Sequence, residues 1–171
     1  KNKGILGVIN DIEDNSEITL SIVNEKEQAQ LGNNEAVCYI GENDTNTYDS
    51  IASAIENIET EGKITLLKNI VISANNSIEI PEGKKITLDI KGKEIEIHKY
   101  EKAILNNGEL TIKDSVTDST GKIYGYANNG MIVNPEGKTL TIGSGKIIFN
   151  QYGDNSSGVV NEGEFIVNGG I

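Results

Sequence analysis

The chain has 171 residues, a formal net charge of -11 and 5% aromatic residues, with no tryptophan. This acidity excludes nucleic acid as a partner, because phosphate binding requires clustered cations. The shortage of aromatic side chains leaves Ile, Leu and Val to fill the interior, and 19 glycines predict many turns, so the composition favours β-structure over a helical bundle. No apolar stretch approaches the roughly twenty residues that a helical membrane span needs.

The first 35 residues have the weakest secondary-structure pattern in the chain. Glu17 to Val23 reads as one strand, and the polar segment after it reads as a loop or a weak helix. We interpret residues 1–35 as an N-terminal cap strand region or as the tail of a preceding module. The apolar run at 36–40 contains the single cysteine, Cys38, for which we expect a buried, inert thiol.

One helix is predicted, at about 47–59. Thr47 or Asp49 is available as its N-cap. Its apolar side chains are spaced at i, i+3, i+4 and i+7: Ile51, Ala54, Ile55 and Ile58. We expect this amphipathic helix to cover the open end of the fold that follows.

From residue 60 onward the sequence repeats. Short alternating runs follow a glycine, and their first apolar residues recur every 22 to 30 positions: Ile64, Ile86, Leu110, Leu140 and Phe165. A second column of runs begins at Gly92, Gly121, Gly145 and Gly169. A third column ends in asparagine, at Asn106, Asn134 and Asn161. Three columns per repeat predict an all-β fold, a right-handed, single-stranded parallel β-helix with three faces, over 36–171 and continuing past residue 171 in a longer parent protein.

Alternation within each run predicts which side chains face inward. The expected core positions are Ile64, Leu66, Ile86, Leu88, Leu110, Ile112, Leu140 and Ile142. The residues between them are expected to form an outward ladder of Thr65, Thr87, Thr111 and Thr141. The asparagines of the third column are expected either to hydrogen-bond along the axis or to serve left-handed turns.

Residues 36–171 resemble the pectin-lyase-like β-helix modules of Gram-positive bacterial surface proteins. The resemblance rests on the order of a short strand, the run Thr47 to Ile55, the strand Gly62 to Leu66, and the segment Ile78-Glu79-Ile80-Pro81-Glu82-Gly83-Lys84-Lys85-Ile86-Thr87-Leu88. It implies an extracellular stalk or adhesive region at the cell surface or cell wall, and it carries no catalytic residues over to this chain.

Polysaccharide lyases and hydrolases share such a fold, and their catalysts are acidic and basic side chains. The candidate aspartates in this chain are Asp89, Asp114, Asp118 and Asp154. Aligning Leu88 with Ile112 places Asp89 level with Lys113, which favours an exposed charge pair or a turn over catalysis. The single histidine, His98, is interpreted as a surface turn residue. The oxygen-rich segments 42–46 and 154–156 lack the spacing of a calcium loop and are interpreted as solubilising loops.

Three tyrosines suggest a binding surface. Tyr100, Tyr126 and Tyr152 recur at intervals of 26, and a row of rings one coil apart suits stacking on the apolar faces of sugars. The alternative is that they lie half-buried over turns. The resulting hypothesis is a non-catalytic, cofactor-free and metal-free surface module that binds glycans and associates end to end through an uncapped last coil. Its rival is a fragment of a polysaccharide-degrading enzyme.

Overall fold

The computed structural model describes residues 35–73, 76–99, 101–118, 120–149 and 157–169, which lie in one compact unit, Glu35–Ile171. Its elements in chain order are β1 (Cys38–Ile40), β2 (Thr47–Tyr48), α1 (Ile51–Glu56), β3 (Glu61–Leu66), β4 (Ile70–Ile72), β5 (Ile78–Ile80), β6 (Lys85–Asp89), β7 (Glu94–Lys99), β8 (Ile104–Asn106), β9 (Glu109–Lys113), β10 (Lys122–Ala127), β11 (Ile132–Asn134), β12 (Thr139–Ile142), β13 (Lys146–Phe149), β14 (Val159–Asn161) and β15 (Glu164–Val167).

The described chain is mostly β-structure wound into a solenoid of about four turns. Sheet A has the strand order β15-β12-β9-β6-β3-β1-β2, sheet B the order β13-β10-β7-β4, and sheet C the order β14-β11-β8-β5. Neighbouring strands of successive turns pair in parallel, whereas β1 pairs antiparallel with both β2 and β3. The prediction of a parallel β-solenoid is confirmed.

The interior is a continuous apolar core in register. Ile86 lies level with Leu110, Leu110 with Leu140, and Leu140 with Phe165. All eight predicted core positions are buried, because a side-chain period of two on every strand directs the aliphatic residues to one face. Each such burial stabilises the fold by about 1.5 to 3 kcal/mol. Phe165, in the last described coil, is 41% exposed.

The predicted register of β3 is wrong by two residues. Ile64 lies level with Leu88, and Lys63 lies level with Thr87. A shift of two keeps every side chain on its own face, so Ile64 and Leu66 are still buried. The threonine ladder therefore contains Thr87, Thr111 and Thr141. Thr65 lies outside it, because its neighbours are Tyr39 and Asp89.

The helix is shorter than predicted. It has six residues, and Ser50 is its N-cap, where the sequence favoured Thr47 or Asp49; the Ser50 side chain accepts a hydrogen bond from the backbone N–H of Ser53. Thr47 belongs to β2. The four apolar side chains of the predicted stripe are all buried, and α1 contacts β1, β2, β3 and β5.

The asparagines of the third column do stack. The Asn106 side chain donates to Asn134 Oδ1 at 2.7 Å, and the Asn134 side chain donates to Asn161 Oδ1 at 2.7 Å. Asn106 and Asn134 are fully buried. Their mutual hydrogen bonds give each buried amide the partner that a polar group without access to water requires.

Candidate functional site

The outer face of sheet B presents polar and aromatic side chains together. Strands β7 and β10 alternate between buried positions and positions that are partly or fully exposed. In their parallel register Glu94 lies level with Lys122, Glu96 with Tyr124 and His98 with Tyr126. We call these six residues the tyrosine platform. They lie on one surface because each strand directs every second side chain outward.

The two tyrosines of the platform are held close to the neighbouring strand by the glycine between them. Gly125 has φ +125, and a Cβ at this position would overlap the carbonyl oxygen of Ile97. Only glycine allows the β10 backbone to approach β7 in this conformation. The sequence Tyr-Gly-Tyr therefore places two rings on the same outward face of one strand.

Charged groups surround the ring of Tyr124. Lys122 Nζ lies 2.9 Å from Glu94 Oε1 and 4.7 Å from the centre of the Tyr124 ring. The hydrogen bond from Lys122, with a smaller contribution from Tyr124, lowers the pKa of Glu94 below its ordinary value. Partial desolvation, followed by hydrogen bonding to Glu94, raises the pKa of Tyr124. At neutral pH the platform therefore holds an ionised carboxylate beside a protonated phenol.

The second ring, Tyr126, contacts a histidine. The rings of His98 and Tyr126 meet edge to face with centroids 5.4 Å apart. His98 Nε2 lies 2.6 Å from Glu96 Oε1, and the His98 side chain is 47% exposed. This arrangement supplies flat apolar ring faces beside hydrogen-bonding groups, which is the chemistry that sugar recognition uses.

The structure places one member of the predicted tyrosine row. Tyr126 lies on β10, level with His98 of the preceding coil. Tyr100 and Tyr152 lie outside the described residues, so the row itself stays a prediction. Equal spacing between coils does not reveal Tyr124, because Tyr124 and Tyr126 share a face within one strand.

Asp89 is the last residue of β6, and Asp114 directly follows β9; both carboxylates accept hydrogen bonds from backbone N–H groups. Asp89 does lie level with Lys113, as predicted, but the expected exposed pair is wrong, because Asp89 is 1% exposed and its ion-pair partner is Lys63 at 3.8 Å. Asp89 Oδ1 accepts hydrogen bonds from the backbone N–H groups of Lys91 and Ser115.

Asp114 binds backbone amides in the same way. Its Oδ1 accepts hydrogen bonds from the N–H groups of Gly92 and Val116, and its Oδ2 accepts one from Gly121. A carboxylate with three such bonds holds a turn in place. Asp118 is exposed, and Asp154 lies outside the described residues.

The remaining candidates have simpler outcomes. His98 lies in strand β7 and not in a turn. Cys38 is fully buried, as expected, and burial raises the pKa of its thiol to about 12. Residues 42–46 are exposed, and the segment 154–156 lies outside the described residues. Among the described residues, no group of three or more His, Cys, Asp or Glu side chains is arranged to hold a metal ion.

Comparisons of this chain with protein-family models, with curated proteins and with solved structures gave no match. A search of the described residues for membrane-spanning helices found none long and apolar enough. The fold and the site therefore define the class of this protein: it is a parallel β-solenoid with aromatic and acidic side chains on the outer face of one of its sheets.

Proposed function

We propose that this chain is a non-catalytic structural and adhesive module of a secreted bacterial surface protein, and that the tyrosine platform binds glycans. The observation that carries the proposal is the pairing of Tyr124 and Tyr126 on one outward face beside Glu94, Glu96 and His98. Stacking of a sugar ring on a tyrosine combines with hydrogen bonds from its hydroxyls to neighbouring carboxylates.

The proposal also includes the handedness of the solenoid, its three faces and the role of α1. The module is a right-handed β-helix with three faces, and α1 closes its N-terminal end, in the manner of the pectin-lyase-like surface modules that it resembles. Three sheets and the burial of Ile51, Ala54 and Ile55 against the first strands support this arrangement. A closed end protects strand edges and core from solvent and suits a module exposed outside the cell.

The roles of the buried aspartates favour a scaffold over an enzyme. Asp89 and Asp114 bind backbone amides of neighbouring turns, which holds the coils together and leaves these carboxylates little freedom for proton transfer. The rival function, a fragment of a polysaccharide lyase or hydrolase, draws its support from the His98 and Glu96 pair, whose 2.6 Å contact is the geometry of an acid–base couple.

A glycan array with the purified chain tests the proposal. The double variant Tyr124→Ala, Tyr126→Ala should lose retention on the glycans that the wild type binds, whereas Tyr124→Phe, Tyr126→Phe should keep most of it, because the rings remain. Unchanged retention by the double alanine variant would reject the platform. A second variant set, Tyr100→Ala, Tyr126→Ala and Tyr152→Ala together, tests the row of tyrosines one coil apart.

A turnover assay on the bound glycans separates the two functions. Retention without cleavage supports adhesion. The control variant for His98→Gln is Tyr48→Phe. Cleavage that is lost in His98→Gln and kept in Tyr48→Phe would support the enzymatic function over the adhesive one.

A further inference from the structure

The outer face of sheet B is arranged in rows that run along the solenoid axis, with one residue from each coil. The parallel registers of its four strands define the middle row as Val71, Glu96, Tyr124 and Ile148. Val71 is 54% exposed, and the other three side chains of the row are partly buried. The middle row therefore presents one carboxylate, that of Glu96, among apolar and aromatic side chains.

The lysines of this face belong to a different row. Lys122 lies level with Glu94 on one side and with Lys146 on the other, and its ammonium forms an ion pair with Glu94. No lysine among the described residues forms an ion pair with Glu96, whose carboxylate contacts His98 Nε2. The platform therefore neutralises the charge of Glu94 with a lysine and leaves the charge of Glu96 beside an imidazole.

The contacts of Tyr124 show that its ring accepts positive charge. The ammonium of Lys122 lies 4.7 Å from the centre of the ring, a distance at which a cation is attracted to the negative face of an aromatic system. Partial desolvation and the hydrogen bond to Glu94 raise the pKa of Tyr124, and the negative charge of Glu96 raises it further. Ring and carboxylates together make this position favourable for an ammonium group.

We propose that the tyrosine platform selects glycans with free amino groups: the ammonium of a 2-amino sugar binds the Glu96 carboxylate while the sugar ring stacks on Tyr126. This inference rests on the proposed glycan binding and specifies the class of glycan. Glu96 and Tyr126 are diagonal neighbours in the pairing of β7 with β10. Because neighbouring strands lie about 4.8 Å apart, a ligand of one or two sugar units contacts both side chains. A uronic acid would bring a second carboxylate next to Glu96 and is disfavoured, since like charges repel.

Lys122 competes with such a ligand. Its ammonium lies over the Tyr124 ring and neutralises Glu94, so it occupies a position that the ammonium of an amino sugar would otherwise take. Removing this lysine should therefore strengthen binding of an amino sugar, because a second carboxylate loses its partner and the ring becomes accessible. Loss of a residue that contacts the glycan directly would have the opposite effect.

Two probes that differ only in acetylation of the amino group test the proposal: the β-1,4-linked hexamers of glucosamine and of N-acetylglucosamine. Calorimetric titration of the full chain at about pH 6, where the amines of the glucosamine hexamer are largely protonated, should give about tenfold tighter binding of that hexamer, the effect of one charge-assisted hydrogen bond. Glu96→Gln should abolish the preference. The control Glu109→Gln removes a carboxylate from β9 in sheet A and should keep it.

Equal affinities of the wild type for the two hexamers would overturn the selectivity. Binding of neither hexamer, by a chain that retains other glycans through Tyr124 and Tyr126, would also overturn it and would leave the proposed function in place. Failure of the proposed function gives a different result, because no glycan on the array would then depend on the two tyrosines. A lysine hexapeptide is the third probe, and binding as tight as that of the glucosamine hexamer would show recognition of charge without the sugar and overturn the proposal.

Lys122→Met tests the competition and should raise the affinity for the glucosamine hexamer several-fold. Its control is Lys138→Met, which changes the net charge by the same amount but removes the ion-pair partner of Glu82, away from sheet B. This control should leave the affinity unchanged. Equal gains in the two variants would show that the overall charge of the chain, and not the platform, determines binding, and would overturn the proposal.

Discussion

The side-chain amide of Asn106 donates to Oδ1 of Asn134 at 2.7 Å, although 28 residues separate them in the chain. Asn106 also donates to the carbonyl oxygen of Thr139 at 2.8 Å, and Asn134 repeats the pattern one coil later with Asn161 and Glu164. Each amide therefore links the turn of its own coil to the side chain and the backbone of the next. This repeated contact links successive coils at the C-terminal ends of strands β8, β11 and β14.

Asn134→Ala should destabilise the chain by about 3 kcal/mol, because it removes the central amide and leaves buried polar groups of both neighbouring coils without partners. Urea denaturation measures the change. The control is Asn107→Ala, which removes only an exposed hydrogen bond to Glu79 and should cost less than about 1 kcal/mol. Equal losses in the two variants would contradict the structural role of the amide column.

Gly108→Ala should be more damaging than Gly83→Ala. A Cβ at Gly108 would overlap the backbone carbonyl oxygen of Lys84 and lie 2.6 Å from that of Pro81, so the turn of one coil must move away from the next. Gly83 has φ +79 but nothing within 4 Å of its Cβ position, and its substitution should cost only about 1 to 2 kcal/mol of backbone strain. The order of the two melting temperatures checks this; the reverse order would show that the coils are spaced more widely here.

Because the thiol of Cys38 is buried, the stability of the chain should depend on pH in the alkaline range. Burial, with a smaller contribution from Asp49, raises the pKa of the thiol from 9.0 to about 12. Between these values the unfolded chain has lost a proton that the folded chain still holds. The free energy of unfolding should therefore be unaffected by this group below about pH 9 and fall above it, by about 1.4 kcal/mol per pH unit.

The comparison of wild type with Cys38→Ala isolates this contribution, since the tyrosines and lysines that also titrate are common to both. Urea denaturation between pH 8 and pH 11 should give a steeper decline for the wild type. Parallel curves for the two proteins would mean that the thiol is solvated in the folded state.

The last described coil should associate with other copies of this chain. Phe165 is 41% exposed and Val167 is 59% exposed, whereas the residues level with them in β12, Leu140 and Ile142, are 0% and 5% exposed. Sedimentation velocity should show concentration-dependent association, strengthened by salt that screens the net charge of -11. Val167→Lys should abolish the association, and Val71→Lys, at a site 54% exposed on β4, should leave it intact. A wild-type chain that stays monomeric, or equal effects of both lysines, would contradict this expectation.

The solenoid was predictable from sequence because its signal is periodic. Runs such as Gly137 to Ile142 alternate strictly, and the column of asparagines marks one position in each coil. The register of β3 was not predictable, since a shift of two residues buries the same side chains and leaves the pattern unchanged. The antiparallel direction of β1 likewise leaves no mark in a three-residue strand.

The candidate site was less predictable than the fold. Tyr126 was found from its spacing, but Tyr124 was not, because its importance depends on which residues of β7 lie beside it. Asp89 occupies an outward position on its strand, and alternation alone predicts exposure there. Its carboxylate is buried and accepts hydrogen bonds from the backbone N–H groups of Lys91 and Ser115, and the path of the chain through these two positions is not specified by any local pattern.

Because strands of successive turns pair in parallel, the backbone hydrogen bonds between them point along the stack. A pull applied to the two termini peels a coil away by breaking these bonds a few at a time. Adjacent turns are 24 to 30 residues apart in sequence, as the pairs Ile86 with Leu110 and Leu110 with Leu140 define. Each coil that opens releases roughly 80 to 100 Å of extended chain, so we expect the stack to lengthen under load in steps and to dissipate mechanical work before its remaining turns open.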